Sequence, residues 1–93
     1  MARFVVQWEY SADRDTRYAA RPEHRAHLGA LAERGIVLAA GPLADDTGGI
    51  VVFDTSDAEE LRGHLAADPY TKAGVIVKTT VTEWNPALGA WLA

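Results

Sequence analysis

The chain has 93 residues, no cysteine, and nine Lys+Arg against thirteen Asp+Glu, for a formal net charge of -4. That length makes one small domain, whose limited core is expected to draw support from oligomerisation. The missing cysteines exclude disulfides, thiolate metal sites and a cysteine nucleophile, and the acidic balance argues against a surface for nucleic-acid phosphates.

The opening "MARFVVQWEY" lacks the long apolar region of a signal peptide. The longest apolar runs, such as Ile36 to Ala40, are too short to cross a bilayer, so the expected setting is cytoplasmic with no membrane partner. In "RFVVQWEY" the residues alternate as a strand: Phe4, Val6, Trp8 and Tyr10 share one face, Val5, Gln7 and Glu9 the other. The polar "SADRDTRYAAR" reads as the exit from that strand. A helix is predicted to start near Pro22, because proline suits the first helical position, where its missing N–H would have no partner. Leu28, Leu31 and Ala32 give it an apolar side, and Gly35 a left-handed stop. The basic residues between Arg14 and Arg34 alternate with acids and read as a solvated helix face.

"IVLAAGPL" is a second strand, ending at Gly41-Pro42; "ADDTGG" is a turn; "IVVFDT" is a third strand that completes a hairpin. Ser56 is expected to cap a second helix, with Glu59 as its capping-box partner. Leu61, Leu65 and Ala66 form the apolar side, and Asp68-Pro69 ends the helix, since a residue before proline resists helical angles. The β-branched "VIVKTTVTEW" is a fourth strand. The tail after it is apolar at Leu88, Trp91 and Leu92 and is expected to pack on something, with the pocket and the subunit interface both open as its place.

The order β-α-β-β-α-β predicts an α+β, ferredoxin-like sandwich: an antiparallel sheet with both helices on one face. The third strand is apolar on both sides, with Val51 and Phe53 on one and Ile50 and Val52 on the other. Two helices cover one face. The other is expected to meet a second copy, giving a homodimer with its sheets face to face.

Antiparallel helices bring the start of the first and the end of the second to one rim, where His24 and Asp68 can meet. A carboxylate fixes the tautomer of an imidazole and makes it a usable general base. Gly41-Pro42 ends its strand at the same edge, where backbone can approach a ligand. The residues alone leave other roles open: a solvated helix-start histidine, a helix-ending aspartate, a surface ion pair for Arg21 and a packing role for Tyr70. His27 lies near His24, yet without a third ligand no metal is expected. His64 reads as solvated, and Trp8 and Trp84 as packing residues. "DDTGG" is no phosphate loop, so no cofactor is expected.

"RPEH" from Arg21, "AGP" from Ala40 and "ADPYTKAGV" from Ala67, in this order and spacing, resemble the YciI-like (YCII-related) family. The resemblance runs from the first strand to Trp84. It implies a dimeric α+β barrel of ferredoxin-like subunits and a pocket with His24 and Asp68 as a catalytic pair. Arg21, Gly41, Pro42, Pro69 and Tyr70 match positions around that pocket, and Arg21 and Tyr70 would position substrate. One departure stands out. Relatives often carry serine after the glycine that opens the third strand; here the pair is Gly48-Gly49, and Thr47 is the expected alternative source of a hydroxyl. The resemblance implies the chemistry of relatives with this dimeric barrel, which act on small, often aromatic or lactone compounds and share proton abstraction more than a substrate. The expected function is therefore a cofactor-independent lyase or isomerase with a small-molecule substrate. The rival is a non-catalytic module of the same fold that binds a metabolite or a protein.

Overall fold

The computed structural model describes residues 2–92. Four strands, β1 (Ala2–Tyr10), β2 (Val37–Pro42), β3 (Gly48–Thr55) and β4 (Ile76–Glu83), form one sheet in the order β2-β3-β1-β4. Every pairing is antiparallel. Helices α1 (Arg14–Glu33), α2 (Ala58–Ala67) and α3 (Pro69–Lys72) connect them, and a single 3-10 turn, Ala90–Leu92, lies in the tail. This is the ferredoxin-like α+β sandwich that the hydrophobic pattern predicts, with one extra short helix.

Alternation along β1 sets the core. Phe4 pairs with Phe53 and Val6 with Val51, so these four side chains share a face. With Trp8 they pack against Leu28 and Leu31 of α1 and Leu61 of α2. Burial of such side chains contributes about 1.5–3 kcal/mol each relative to leaving them in water.

The first helix begins two turns earlier than proline suggests. Asp13 is its cap, accepting the Thr16 N–H at 3.1 Å and the Thr16 hydroxyl at 2.6 Å. Pro22 therefore stands inside α1, where it removes the N–H that would bond the Tyr18 carbonyl, a defect typically costing about 3 kcal/mol. Buried contacts on both sides of the proline, at Arg17 and at Leu28 and Leu31, hold the two halves in line. The polar "DRDTRYAAR" is a capped helix start, not a loop. Its polarity misleads because most of that first stretch faces water.

The second helix is capped one residue later than expected. Asp57 accepts the Glu60 N–H at 2.8 Å, and Glu60, rather than Glu59, reaches back to the Ser56 N–H at 3.0 Å and to the Ser56 hydroxyl at 2.8 Å. The box is real, but a second acidic residue shifts its register.

The sheet face away from the helices is only partly covered, and by the chain's own tail. Val52 is buried while Ile50 and Leu38 stay exposed. Trp84, Leu88, Trp91 and Leu92 line a cavity of about 440 Å³ with Arg3, Leu38 and Val52. The tail thus packs on the open face, and it keeps Leu88 and Trp91 largely in solvent. Among the described residues, no helix is long and apolar enough to cross a membrane.

Candidate active site

His24 and Asp68 meet. The imidazole Nδ1 lies 2.7 Å from Asp68 Oδ1, and both residues are buried, at 8% and 1% exposure. The route differs from the expected one. His24 sits in the middle of α1, not in its first turn, and faces the junction where α2 ends and α3 begins. The ten-residue α2 stops alongside the middle of the twenty-residue α1, and strand-end residues Tyr10, Pro42 and Gly49 line the same cavity as His24, so the pair lies by one rim of the sheet.

Asp68 does two jobs with one oxygen. Its Oδ1 also accepts the Tyr70 N–H at 2.9 Å and so caps α3, whose first residue is Pro69. The cap and the dyad are therefore one arrangement rather than alternatives. With the carboxylate ionised, Nδ1 carries the proton and donates a hydrogen bond to Asp68, which leaves the Nε2 lone pair available. Asp68 Oδ2 is buried and has no partner among the described residues.

The imidazole is held on both sides. Tyr70 stacks on it with ring centroids 3.6 Å apart and planes 3° off parallel. Trp8 meets it edge-on at 5.7 Å. Tyr70 is buried, so it packs and also forms pocket wall. Trp8 likewise does more than pack.

One cavity of about 220 Å³ gathers His24, Arg21, Gly41, Pro42 and Tyr70, five of the six residues expected at the site. The sixth, Asp68, stands behind His24. The wall also contains Trp8, read from sequence as a packing residue, and Tyr10, Arg17 and Arg25, which sequence reasoning did not place at a site. Arg17, Arg21 and Arg25 recur every four residues, so they share one side of α1. Starting that helix at Arg14 would have revealed the stripe.

Arg17 is the clearest departure from a solvated helix face, at 2% exposure. Its Nη1 donates to the Asp46 carbonyl at 2.9 Å and its Nη2 to the Asp46 carboxylate. Its guanidinium lies over Tyr10, 4.7 Å from the ring centre, and over Tyr18 at 5.1 Å. Burial alone would weaken its hold on the proton, but the hydrogen bonds to Tyr18 and Asp46 and the Asp46 charge more than offset this and raise its pKa. Asp46 adopts a left-handed φ of 62° in the β2–β3 turn, a conformation that aspartate tolerates better than most residues. The turn is thereby tied to α1. Arg21 also lies over the Tyr18 ring, 4.5 Å from its centre. Three arginines against one facing carboxylate, Asp46, give this cavity a net positive wall.

One expectation does not reach the site. Thr47 does not line the cavity, and its hydroxyl donates to Asp45 at 2.7 Å. His27 turns toward the His64 carbonyl, 3.1 Å from its Nε2, and His64 is not simply solvated: its Nε2 lies 3.1 Å from Glu60. Among the described residues, no three metal-ligating side chains converge.

The YCII-related domain family matches residues 2–85. The chain belongs to that family. No curated protein matches it in sequence. Among solved structures it is similar to 5-chloro-2-hydroxyhydroquinone dehydrochlorinase from Burkholderia phenoliruptrix AC1100, in complex with 2,5-dihydroxybenzoquinone. The TM-score is 0.81 at 23% identity, covering 91% of this chain and 95% of that one. An antibiotic biosynthesis monooxygenase aligns with a TM-score of 0.62 at 14% identity, over 95% of this chain and all of that one (100%). A Mycobacterium tuberculosis protein follows with a TM-score of 0.60 at 14% identity, covering 96% and 97%. At these identities the likeness is one of fold, which hosts several chemistries.

Proposed function

We propose that this YCII-related protein is a cofactor-independent enzyme of lyase or isomerase type acting on a small, oxygenated ring compound. The observation that carries the reading is the buried His24–Asp68 pair on the wall of a positively charged cavity. His24 Nε2 takes a proton from a substrate atom next to an electron-withdrawing group. Asp68 holds the ring in the required tautomer and stabilises the imidazolium that forms. Tyr70 fixes the plane of the imidazole. Arg21 holds an anionic substrate group, and Gly41 and Pro42 let backbone approach the ligand. The bound quinone and dehydrochlorinating activity named for the similar structure suit such a cavity and supply a first compound to test.

The same reading includes a homodimer through the open sheet face. Ile50, Leu38, Leu88 and Trp91 are apolar and exposed there, and a second copy would remove them from water.

The test is turnover of 5-chloro-2-hydroxyhydroquinone, followed as chloride release. Wild-type protein is expected to release chloride, and His24→Gln to lose at least 100-fold. Release that survives His24→Gln unchanged refutes the role of His24. Binding of the compound without turnover supports the non-catalytic module instead. Imidazole nitrogen NMR gives a substrate-free check: an Nε2–H tautomer at His24 contradicts the dyad.

A further inference from the structure

Tyr10 ends β1, and its pairing with β4 slips by one residue between Glu9 and Tyr10. Such a bulge re-aims a side chain. Here the Tyr10 ring joins the wall of the His24 cavity, edge-on to Tyr70 at 5.8 Å. The backbone is fixed by a 2.9 Å hydrogen bond from the Tyr10 N–H to the Thr47 carbonyl. The hydroxyl lies against Gly49: a Cβ added there would stand 2.7 Å from Tyr10 Oη and 3.1 Å from the Gly41 carbonyl oxygen. Any side chain at position 49 would displace the phenol. The glycine therefore makes the room that the Tyr10 hydroxyl uses. Among the described residues that hydroxyl has no hydrogen-bond partner, whereas the nearby Thr47 hydroxyl is committed to Asp45.

We propose that Tyr10 is the pocket's substrate-contacting hydroxyl donor, recognising a ring oxygen of a planar, single-ring quinone-like compound, with Gly49 as the residue that admits it. The assignment rests on His24 being the base. When Nε2 removes a proton, the C–H or O–H bond breaks and an N–H bond forms. The released electron pair moves through the conjugated ring onto a carbonyl oxygen, which becomes an enolate or phenolate. The Tyr10 O–H donates a hydrogen bond to that oxygen without giving up its proton, and Arg17, stacked on the same ring, adds positive charge beside it. Tyr10 is suited to donate, because burial, followed by the neighbouring Tyr70, pushes its pKa above the usual 10 and keeps the phenol protonated.

The experiment is titration with 2,5-dihydroxybenzoquinone at pH 7. Wild type is expected to bind it and Tyr10→Phe, which loses only the oxygen, to bind about 10- to 100-fold more weakly. Equal affinity overturns the assignment of Tyr10 and leaves His24 as base untouched. No binding by wild type overturns the ligand class, while chloride release and the His24 tautomer judge the dyad separately. A ligand-free arm tests the geometry. Gly49→Ala should lower the melting temperature in wild type and lower it less in a Tyr10→Phe background, where the 2.7 Å clash is gone. The same loss in both backgrounds overturns the placement of the hydroxyl.

Discussion

Asp68→Ala offers the sharpest test of how the site is built into the fold. Asp68 is 1% exposed and its Oδ1 serves both His24 Nδ1 and the Tyr70 N–H. Stranding a buried hydrogen-bond partner costs about 1–3 kcal/mol. Losing a helix cap costs about 1 kcal/mol. One oxygen does both jobs, so the terms overlap, and the expected loss is about 2–3 kcal/mol. A chain of 93 residues has a total stability of only about 5–14 kcal/mol, so this single change removes a large share of it. Urea unfolding at pH 7 measures it. His24→Ala, measured the same way, closes a double-mutant cycle. The double variant should cost less than the sum of the singles by about 2 kcal/mol, because the second deletion no longer strands a buried partner. A loss below about 1 kcal/mol for Asp68→Ala, or strict additivity, refutes the pairing.

Three further outcomes are expected. Gly48→Ala should destabilise by about 3 kcal/mol, since a Cβ there falls 2.0 Å from the Trp8 carbonyl oxygen, whereas at Gly41 a Cβ meets nothing within 4 Å; matching unfolding midpoints would refute the β1–β3 register. Glu60 is pulled from 4.5 to about 2, first by the Ser56 N–H, then by the Ser56 hydroxyl and His64. Its folded pKa is lowered, so its contribution is present above pH 4.5 and lost as pH falls toward 2; Glu60→Gln should flatten stability across that window, and an unchanged acid limb refutes the capping box. Ile50→Glu places a charge on the open sheet face and should give monomers by sedimentation where wild type gives dimers; monomeric wild type refutes the dimer.

The order of elements was legible because hydrophobic period is a local property. Phe4, Val6 and Trp8 alternate, Leu28 and Leu31 do not, and turn residues mark the breaks. The short motifs around His24, Gly41 and Asp68 carried the family and five of the six expected residues into one cavity. Boundaries were less legible. Pro22 gave a strong start signal, yet the Asp13 cap and the burial of Arg17 extend α1 through it. Capping and burial act across several residues, and Arg17 gains its partner, Asp46, from 29 positions away.

What the sequence determined by itself was therefore the sheet and its helical layer, because periodicity belongs to each residue, while the pair His24 and Asp68 came from the short motifs that carry the family resemblance. What only the tertiary structure decided was where those groups sit. It placed His24 in the middle of a long helix against the end of a short one, and turned the polar stripe of Arg17, Arg21 and Arg25 into a charged wall. It set the Tyr10 hydroxyl in the space beside Gly49 and laid the tail on the open face. These depend on distances between residues far apart in the chain, which are fixed only when the whole core closes.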